Sequence, residues 1–420
     1  MTAAPGNALI TAEGERHTLE ELIAERRPGW SLPQPFYTDE GIYRAEMERI
    51  FRRGWLFAGH TCQIPRAGDY FVFNIDTESI IVTRDRDNQI RALFNFCRHR
   101  GARLCRESAG HVGKFVCPYH QWVYELDGKL LKTSRMGDDF DSSQFGLHPA
   151  HVRELDGLIF VNLAENPRSF DEAHEHISHV IRPHRLARAK VAHVASYDVA
   201  ANWKLVIENQ RECFHCPAHH PEYLSAYYDF DIDNPEMQEE IEACLAECSE
   251  RWAALGLDVS RVSMSSAYTG DWFRANRTPF RKGYVTESFD GRPLAPLMGD
   301  FTEPDVGTAR AGTYLNFWIH AMSDHAASIQ VTPLNPTTTR WTATWLVHED
   351  AVEGVDYDLD RLIEFTLLQS KQDWEILDNQ GLGVQSFRYQ GGPYSPLKET
   401  NVEKFIQWYL AEMTSHAGNS

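Results

Sequence analysis

The chain has 420 residues, 42% of them hydrophobic, with 41 Lys plus Arg against 60 Asp plus Glu and a formal charge of −19. At roughly 150 residues per domain, that length accommodates two or three domains with ample chain to bury a core. The acidic balance repels phosphate backbones and disfavours nucleic-acid binding through a basic face, and no apolar run reaches the ~20 residues of a membrane span. The opening MTAAPGNALITAEGERHTLEELIAERR has no apolar core after a basic start, which predicts no signal peptide and a cytoplasmic protein. Eight cysteines are too sparse for a disulfide scaffold and read as thiols or metal ligands.

Residues 1–44 are polar, with a helical patch at Leu19 to Ala24 and a Pro-rich stretch from Pro28 to Pro35, and read as an arm leading into the fold. Tyr43, Met47, Ile50 and Phe51 then recur at helical spacing. From Trp55 to about Leu163, within a small β domain placed at about 45–165, the chain changes to short β-branched and aromatic runs: FVFNI, IIVTR, IRALFNF, FVCPYHQWVYEL and GLIFVNL. Turn signals such as Asp87-Asn88 and Asp127-Gly128 separate them, which predicts an antiparallel, hairpin-rich domain.

Residues 166–420 alternate. Helices are expected near 170–182, 202–214, 236–254, 358–379 and from Val402 to Met413. Strands are expected at Val191 to Val199, Gly312 to Ile319, Ser328 to Leu334 and Trp341 to Val347. This pattern predicts an α+β domain with one antiparallel sheet. The acidic stretch Asp229 to Glu242 reads as a solvated face or loop.

Two constellations carry chemistry. FCRHRGARLC and VCPYHQW place Cys97-x-His99, then 17 residues, then Cys117-x-x-His120. Tetrahedral zinc is the ordinary use of such residues, but zinc spacings usually group cysteines with cysteines and histidines with histidines. One of each on each loop suits a [2Fe–2S] centre with two thiolates on one iron and two imidazoles on the other, the Rieske arrangement. Cys62 and Cys105 fall outside the pattern and read as small hydrophobes.

The second constellation is NWKLVIENQRECFHCPAHHP, which reads as a helix ending at Pro217 with Glu208, Glu212 and His215 on one face. His219 or His220 can curl back toward His215. Two histidines and one carboxylate would leave three positions of an iron open, as in a facial triad. The late helix Leu359 to Gln380 offers Glu364, Asp373, Glu375 and Asp378 as that carboxylate, and spacing alone does not choose among them. Cys213-x-x-Cys216 lacks a thioredoxin-like context, and Cys244 and Cys248 read as core thiols.

FCRHRGARLC…VCPYHQWVYELDGKLL and NWKLVIENQRECFHCPAHHPE together resemble the oxygenase subunits of Rieske non-heme iron oxygenases, from about Ser31 to Met413. Within that family the chain looks most like the branch that N-demethylates glycine betaine and stachydrine, a comparison that SLPQPFYTDE and WLVHEDAVEGVDYDLDRL strengthen. The resemblance implies a β-sheet Rieske domain plus a helix-grip (START-like) catalytic domain, with the 1–44 arm packing on the latter. It implies a [2Fe–2S] cluster on Cys97, His99, Cys117 and His120, and a mononuclear Fe(II) on His215, His220 and Asp373. Glu212 would be the carboxylate linking the cluster of one subunit to the iron of the next in a homotrimer. Aromatic-ring dioxygenases usually have Asp at that position.

The implied activity is an O2-dependent monooxygenase supplied by a separate flavin/iron–sulfur reductase using NAD(P)H. Its substrate would be a small quaternary ammonium compound, with glycine betaine giving dimethylglycine and formaldehyde. Stachydrine, carnitine or a related betaine, or an aromatic ring, are the alternatives. Aromatic faces hold quaternary ammonium well, and Tyr268, Trp272, Phe273, Tyr314, Phe317 and Trp318 are candidates, with His320 or Arg274 to receive a carboxylate.

Overall fold

The computed structural model describes residues 9–10, 16–264 and 270–415. Helix α1 (Leu19–Ala24) opens on a capping box in which Thr18 and Glu21 satisfy each other's backbone N–H groups. Helix α2 (Glu40–Glu46) is capped by Asp39 and runs into a wider turn over Met47–Phe51.

Seven strands follow in one antiparallel sheet. They are β1 (Leu56–His60), β2 (Asp69–Ile75), β3 (Glu78–Arg84), β4 (Ile90–Phe94), β5 (Ala109–His111), β9 (Pro149–Leu155) and β10 (Leu158–Asn162). Their order is β1-β10-β9-β4-β3-β2-β5. A small antiparallel unit made of β6 (Phe115–Val116), β7 (Val123–Tyr124) and β8 (Leu130–Lys132) is inserted between β5 and β9. It packs on Tyr70, Ile81 and Leu93 of the seven-stranded sheet in a second, smaller core, in which Cys97, Cys117, Trp122 and Tyr124 are buried with Phe115 and Leu126.

After α3 (Asp171–Ile181) the chain builds a second antiparallel sheet. Its strands are β11 (Ala189–Val199), β12 (Phe273–Thr278), β13 (Thr308–Thr313), β14 (Phe317–Ala321), β15 (His325–Asn335) and β16 (Thr338–His348). The order is β11-β16-β15-β14-β13-β12. Helix α8 (Leu359–Val384) packs on this sheet, with Trp374 stacked on Tyr197 of β11 at 4.5 Å and edge-on to Trp341 of β16 at 5.1 Å. Helix α9 (Thr400–Thr414) closes the chain. One continuous apolar core joins the two sheets, and Phe57 of β1 meets Phe317 of β14 at 4.4 Å.

Three expectations are corrected. The helix expected over 202–214 is α4 (Trp203–Asn209) and stops there, so Glu208, Glu212 and His215 do not share a helical face. Pro217 does not end that helix. It lies in the first turn of a separate short helix, α5 (Cys216–His219), where its missing N–H costs nothing, and α6 (Pro221–Ala226) follows directly. Gly312 to Ile319 is two strands. Asn316 between them clasps Phe57 of the other sheet, accepting from its N–H (2.9 Å) and donating to its carbonyl (3.0 Å). The stretch from Asp229 is not wholly solvated, because Asp229 is paired at 2.8 Å with the buried Arg310, and α7 (Gln238–Ala254) begins within it. The strand Phe273–Thr278 was not foreseen. No helix among the described residues is long and apolar enough to cross a membrane.

Candidate iron centres and an adjoining cavity

The first site is made by two loops of matching geometry. The loop from Cys97 is closed by Cys97 N–H to Ala102 O (2.8 Å) and by Gly101 N–H to Cys97 O (2.9 Å). The loop from Cys117 repeats both bonds, with Cys117 N–H to Trp122 O (2.8 Å) and Gln121 N–H to Cys117 O (3.0 Å). Each needs a left-handed residue four positions after the cysteine, Gly101 at φ +76° and Gln121 at φ +59°. Both thiols are 1% exposed. The Tyr124 hydroxyl lies 3.2 Å from Cys97 Sγ. Burial raises the Cys97 pKa, which the Tyr124 hydrogen bond partly offsets.

His99 and His120 bring their Nδ1 atoms within 3.1 Å of each other. Each is backed by an aromatic ring, Trp122 stacked on His99 at 4.8 Å and Tyr119 on His120 at 3.7 Å. Two adjacent thiols and two convergent imidazoles fit the mixed ligand set of a [2Fe–2S] centre.

The second site joins residues far apart in sequence. His215 Nε2 lies 3.3 Å and His220 Nε2 3.0 Å from the same oxygen, Oδ1 of Asp373 on α8. All three donor atoms fall within 4.8 Å of one another, and this is the one such group of three found among the described residues. His220 is 3% exposed, whereas its neighbour His219 is exposed. Of the other carboxylates on the late helix, Asp378 faces away and accepts from Tyr197 OH and Ala200 N–H, both at 2.7 Å.

The outer nitrogens are also engaged. His215 Nδ1 lies 2.5 Å from Glu212 Oε1, and His220 Nδ1 donates to Gln372 Oε1 at 2.7 Å. An acceptor on Nδ1 fixes the tautomer that turns the Nε2 lone pair inward, the usual support for a metal-binding histidine. Burial lowers the His215 pKa, but hydrogen bonds to Asp373 and Glu212 outweigh it and push it up to about 10. Burial likewise raises Asp373, and its histidine partners overcome this to hold it at about 2. A cation brought to these three donors would replace the protons they share. Two imidazoles and a carboxylate facing one point fit Fe(II). Gln372 and the bond from Asn209 Nδ2 to Asp373 Oδ1 (3.2 Å) were not anticipated; only the adjacency of Gln372 to Asp373 could have suggested the former.

Cys213 and Cys216, which bracket His215, are joined as a disulfide. Cys62, Cys105, Cys244 and Cys248 are free, as are Cys97 and Cys117.

The triad opens into a cavity of about 190 Å³. Of the expected aromatics only Trp318 lines it, together with the unforeseen Tyr223, Trp341 and Trp374. Trp272, Phe273, Tyr314 and Phe317 are core residues, and Tyr268 lies outside the described residues. Arg274 and His320 both reach the cavity wall.

A thiol–imidazole loop pair and a two-histidine, one-carboxylate centre on one chain define a two-centre iron oxygenase. Residues 54–144 match the Rieske [2Fe-2S] domain, and residues 186–415 match the catalytic domain of the ring hydroxylating alpha subunit. The chain belongs to the Rieske-type ring-hydroxylating oxygenase alpha-subunit family, whose cofactors are a Rieske [2Fe–2S] cluster and a mononuclear iron. It is 39% identical over 409 residues to the glycine betaine monooxygenase oxygenase subunit of Pseudomonas aeruginosa, covering 97% of this chain and 94% of that one. Its identity to the glycine betaine monooxygenase oxygenase subunit of Chromohalobacter salexigens is 40% over 403 residues, 95% of this chain and 89% of that one. A solved quaternary ammonium Rieske monooxygenase shares the fold at TM-score 0.69 and 21% identity, over 94% of this chain and 98% of that one.

Proposed function

We propose that this chain is the oxygenase component of a monooxygenase that N-demethylates a quaternary ammonium compound, glycine betaine foremost, to dimethylglycine and formaldehyde. The observation that carries this reading is the His215–His220–Asp373 group opening onto a small cavity walled by Trp318, Trp341 and Tyr223. Aromatic faces attract an ammonium that has no N–H to donate. The full-length similarity to two glycine betaine monooxygenase subunits supports the same substrate class.

Cys97, His99, Cys117 and His120 would hold the cluster, and His215, His220 and Asp373 the iron. When bound, these groups supply one-electron storage and O2-dependent oxidation of a substrate C–H bond. The chain's own part is positional. Glu212 and Gln372 fix the two imidazoles, the aromatic wall orients the methylammonium, and the cavity limits water around it. Glu212 is the residue we assign to the electron path between subunits, being hydrogen-bonded to His215 at 2.5 Å.

Apolar side chains are exposed at both sites: Phe214 (54%) and Leu397 (74%) beside the triad, Val116 (51%) and Tyr119 (57%) on the cluster loops. A head-to-tail homotrimer would cover one set with the other. We divide the chain into an arm (1–44), a Rieske domain (45–165) and a catalytic domain (166–420), with electrons supplied by a separate NAD(P)H-dependent reductase. The reading is tested by formaldehyde release from glycine betaine, proline betaine, carnitine and choline with a surrogate reductase. The expected result is turnover fastest on glycine betaine. Turnover of an aromatic substrate alone would overturn it.

A further inference from the structure

We infer that His320, anchored by the buried Glu287, receives the carboxylate of a betaine while Trp318 on the same strand takes its ammonium; this rests on the quaternary ammonium reading above. Strand β14 alternates cleanly. Phe317, Ile319 and Ala321 are 0% exposed on the core side, and Trp318 and His320 face the cavity. Two residues apart on a strand, their side chains start about 6.7 Å from each other, so one small molecule can touch both.

The neighbouring strands leave room over this row. Trp318 pairs with Gly312 and Ile329, and His320 with Arg310 and Ala327. Gly312 fits closely here: a Cβ would come within 3.1 Å of Trp318 Cβ and 3.0 Å of Phe317 O, so those neighbours would have to give by a few tenths of an ångström.

His320 is oriented from behind. Its Nδ1 lies 2.6 Å from Oε1 of Glu287, which is 2% exposed and also accepts from Tyr227 OH at 2.7 Å. Burial raises the Glu287 pKa, but the charge and hydrogen bond of His320, with Tyr227 and His325, hold it below the ordinary value. An ionised carboxylate only accepts, so the His320 Nδ1 carries a hydrogen. Among the described residues Nε2 has no hydrogen-bond partner; with Nδ1–H turned to Glu287, Nε2 is the ring atom left to meet a ligand, and it donates to a carboxylate when it too carries a hydrogen.

Another cation on the wall is already committed. The two terminal nitrogens of Arg310 donate to Asp229 Oδ1 (2.8 Å) and Tyr223 OH (2.9 Å). Arg274 also lines the cavity and is the competing anchor.

The test compares wild type, His320→Leu, His320→Gln and Glu287→Gln as holoenzymes, using KM and kcat from formaldehyde release and binding of glycine betaine by calorimetry. Losing one charge-assisted hydrogen bond predicts a rise of about 30-fold in KM and Kd for His320→Leu, with kcat changed by less than about 3-fold. His320→Gln, whose amide can still donate, should recover much of the loss, and Glu287→Gln should show a smaller rise. Choline, which has no carboxylate, should lose little of its binding in His320→Leu. Unchanged glycine betaine binding in His320→Leu, as expected if Arg274 is the anchor, overturns the inference and leaves the functional reading standing. An equal loss with choline and glycine betaine, or no rescue by Gln, overturns it as well. If the wild type turns over no carboxylated betaine, the functional reading and the inference fall together.

Discussion

The cluster loops and the triad recruit similar donors over very different reaches of chain. His99 and His120 are 21 residues apart, on loops that share a small core and repeat one backbone pattern. His220 and Asp373 are separated by 153 residues and meet only because α8 packs across the second sheet near the end of α4. A local site is specified by its turns. A long-range site is specified by the whole fold, and its ligands need outside support: Glu212 for His215, Gln372 for His220 and Asn209 for Asp373. The two centres should therefore fail independently and for different reasons.

The largest effect expected is from Cys117→Ser. It should abolish the Rieske EPR signal and all turnover, while chains reconstituted with iron retain the mononuclear metal by elemental analysis. Loss of both metals would show that the sites are not independent. Gln372→Leu removes the acceptor behind His220 without touching a ligand. Removing a supporting hydrogen bond of this kind typically costs 10–100-fold, so iron affinity should fall by about that factor with the cluster signal unchanged. A retained affinity would leave Gln372 no supporting role.

A smaller effect separates the packing behind the triad from the triad itself. Glu208 on α4 is buried away from the cavity and accepts from Tyr37 OH (2.9 Å) and Tyr394 OH (3.2 Å), tying the arm and the C-terminal segment together. Burial raises its pKa from an ordinary 4.5 to about 7, against the lowering effect of those tyrosines. The folded state thus favours the neutral acid. Its ionisation costs nothing below pH 4.5, progressively more up to about 7, and the full amount above. At 1.36 kcal/mol per pKa unit, that amount is at most about 3 kcal/mol. Glu208→Gln should match wild type in thermal unfolding near pH 4.5 and exceed it at pH 8. Equal stability at both pH values would contradict the buried-acid account.

The same contrast explains what was legible in the sequence. The cluster loops were readable because both cysteines, both histidines and the Asp127-Gly128 hairpin fall within one short segment. The triad was readable from residues only as far as His215 and a neighbouring histidine, because spacing says nothing about which carboxylate a helix brings across a sheet. The end of α4 was missed because residues 210–215 continue an apparently helical pattern, while Arg211 in fact turns inward and donates to Thr313 O at 2.7 Å. The split strand was missed because Asn316 makes its bonds to Phe57, 259 residues earlier. Aromatic content pointed to Phe317 and Trp318 alike. Only strand register shows that one enters the core and the other the cavity.

The most direct test of two separable centres is one preparation of His215→Ala, reduced anaerobically and exposed to glycine betaine and O2. The expected result is an undiminished Rieske EPR signal with no formaldehyde formed in single turnover. Formaldehyde at wild-type yield, or loss of the cluster signal with His215, would contradict it.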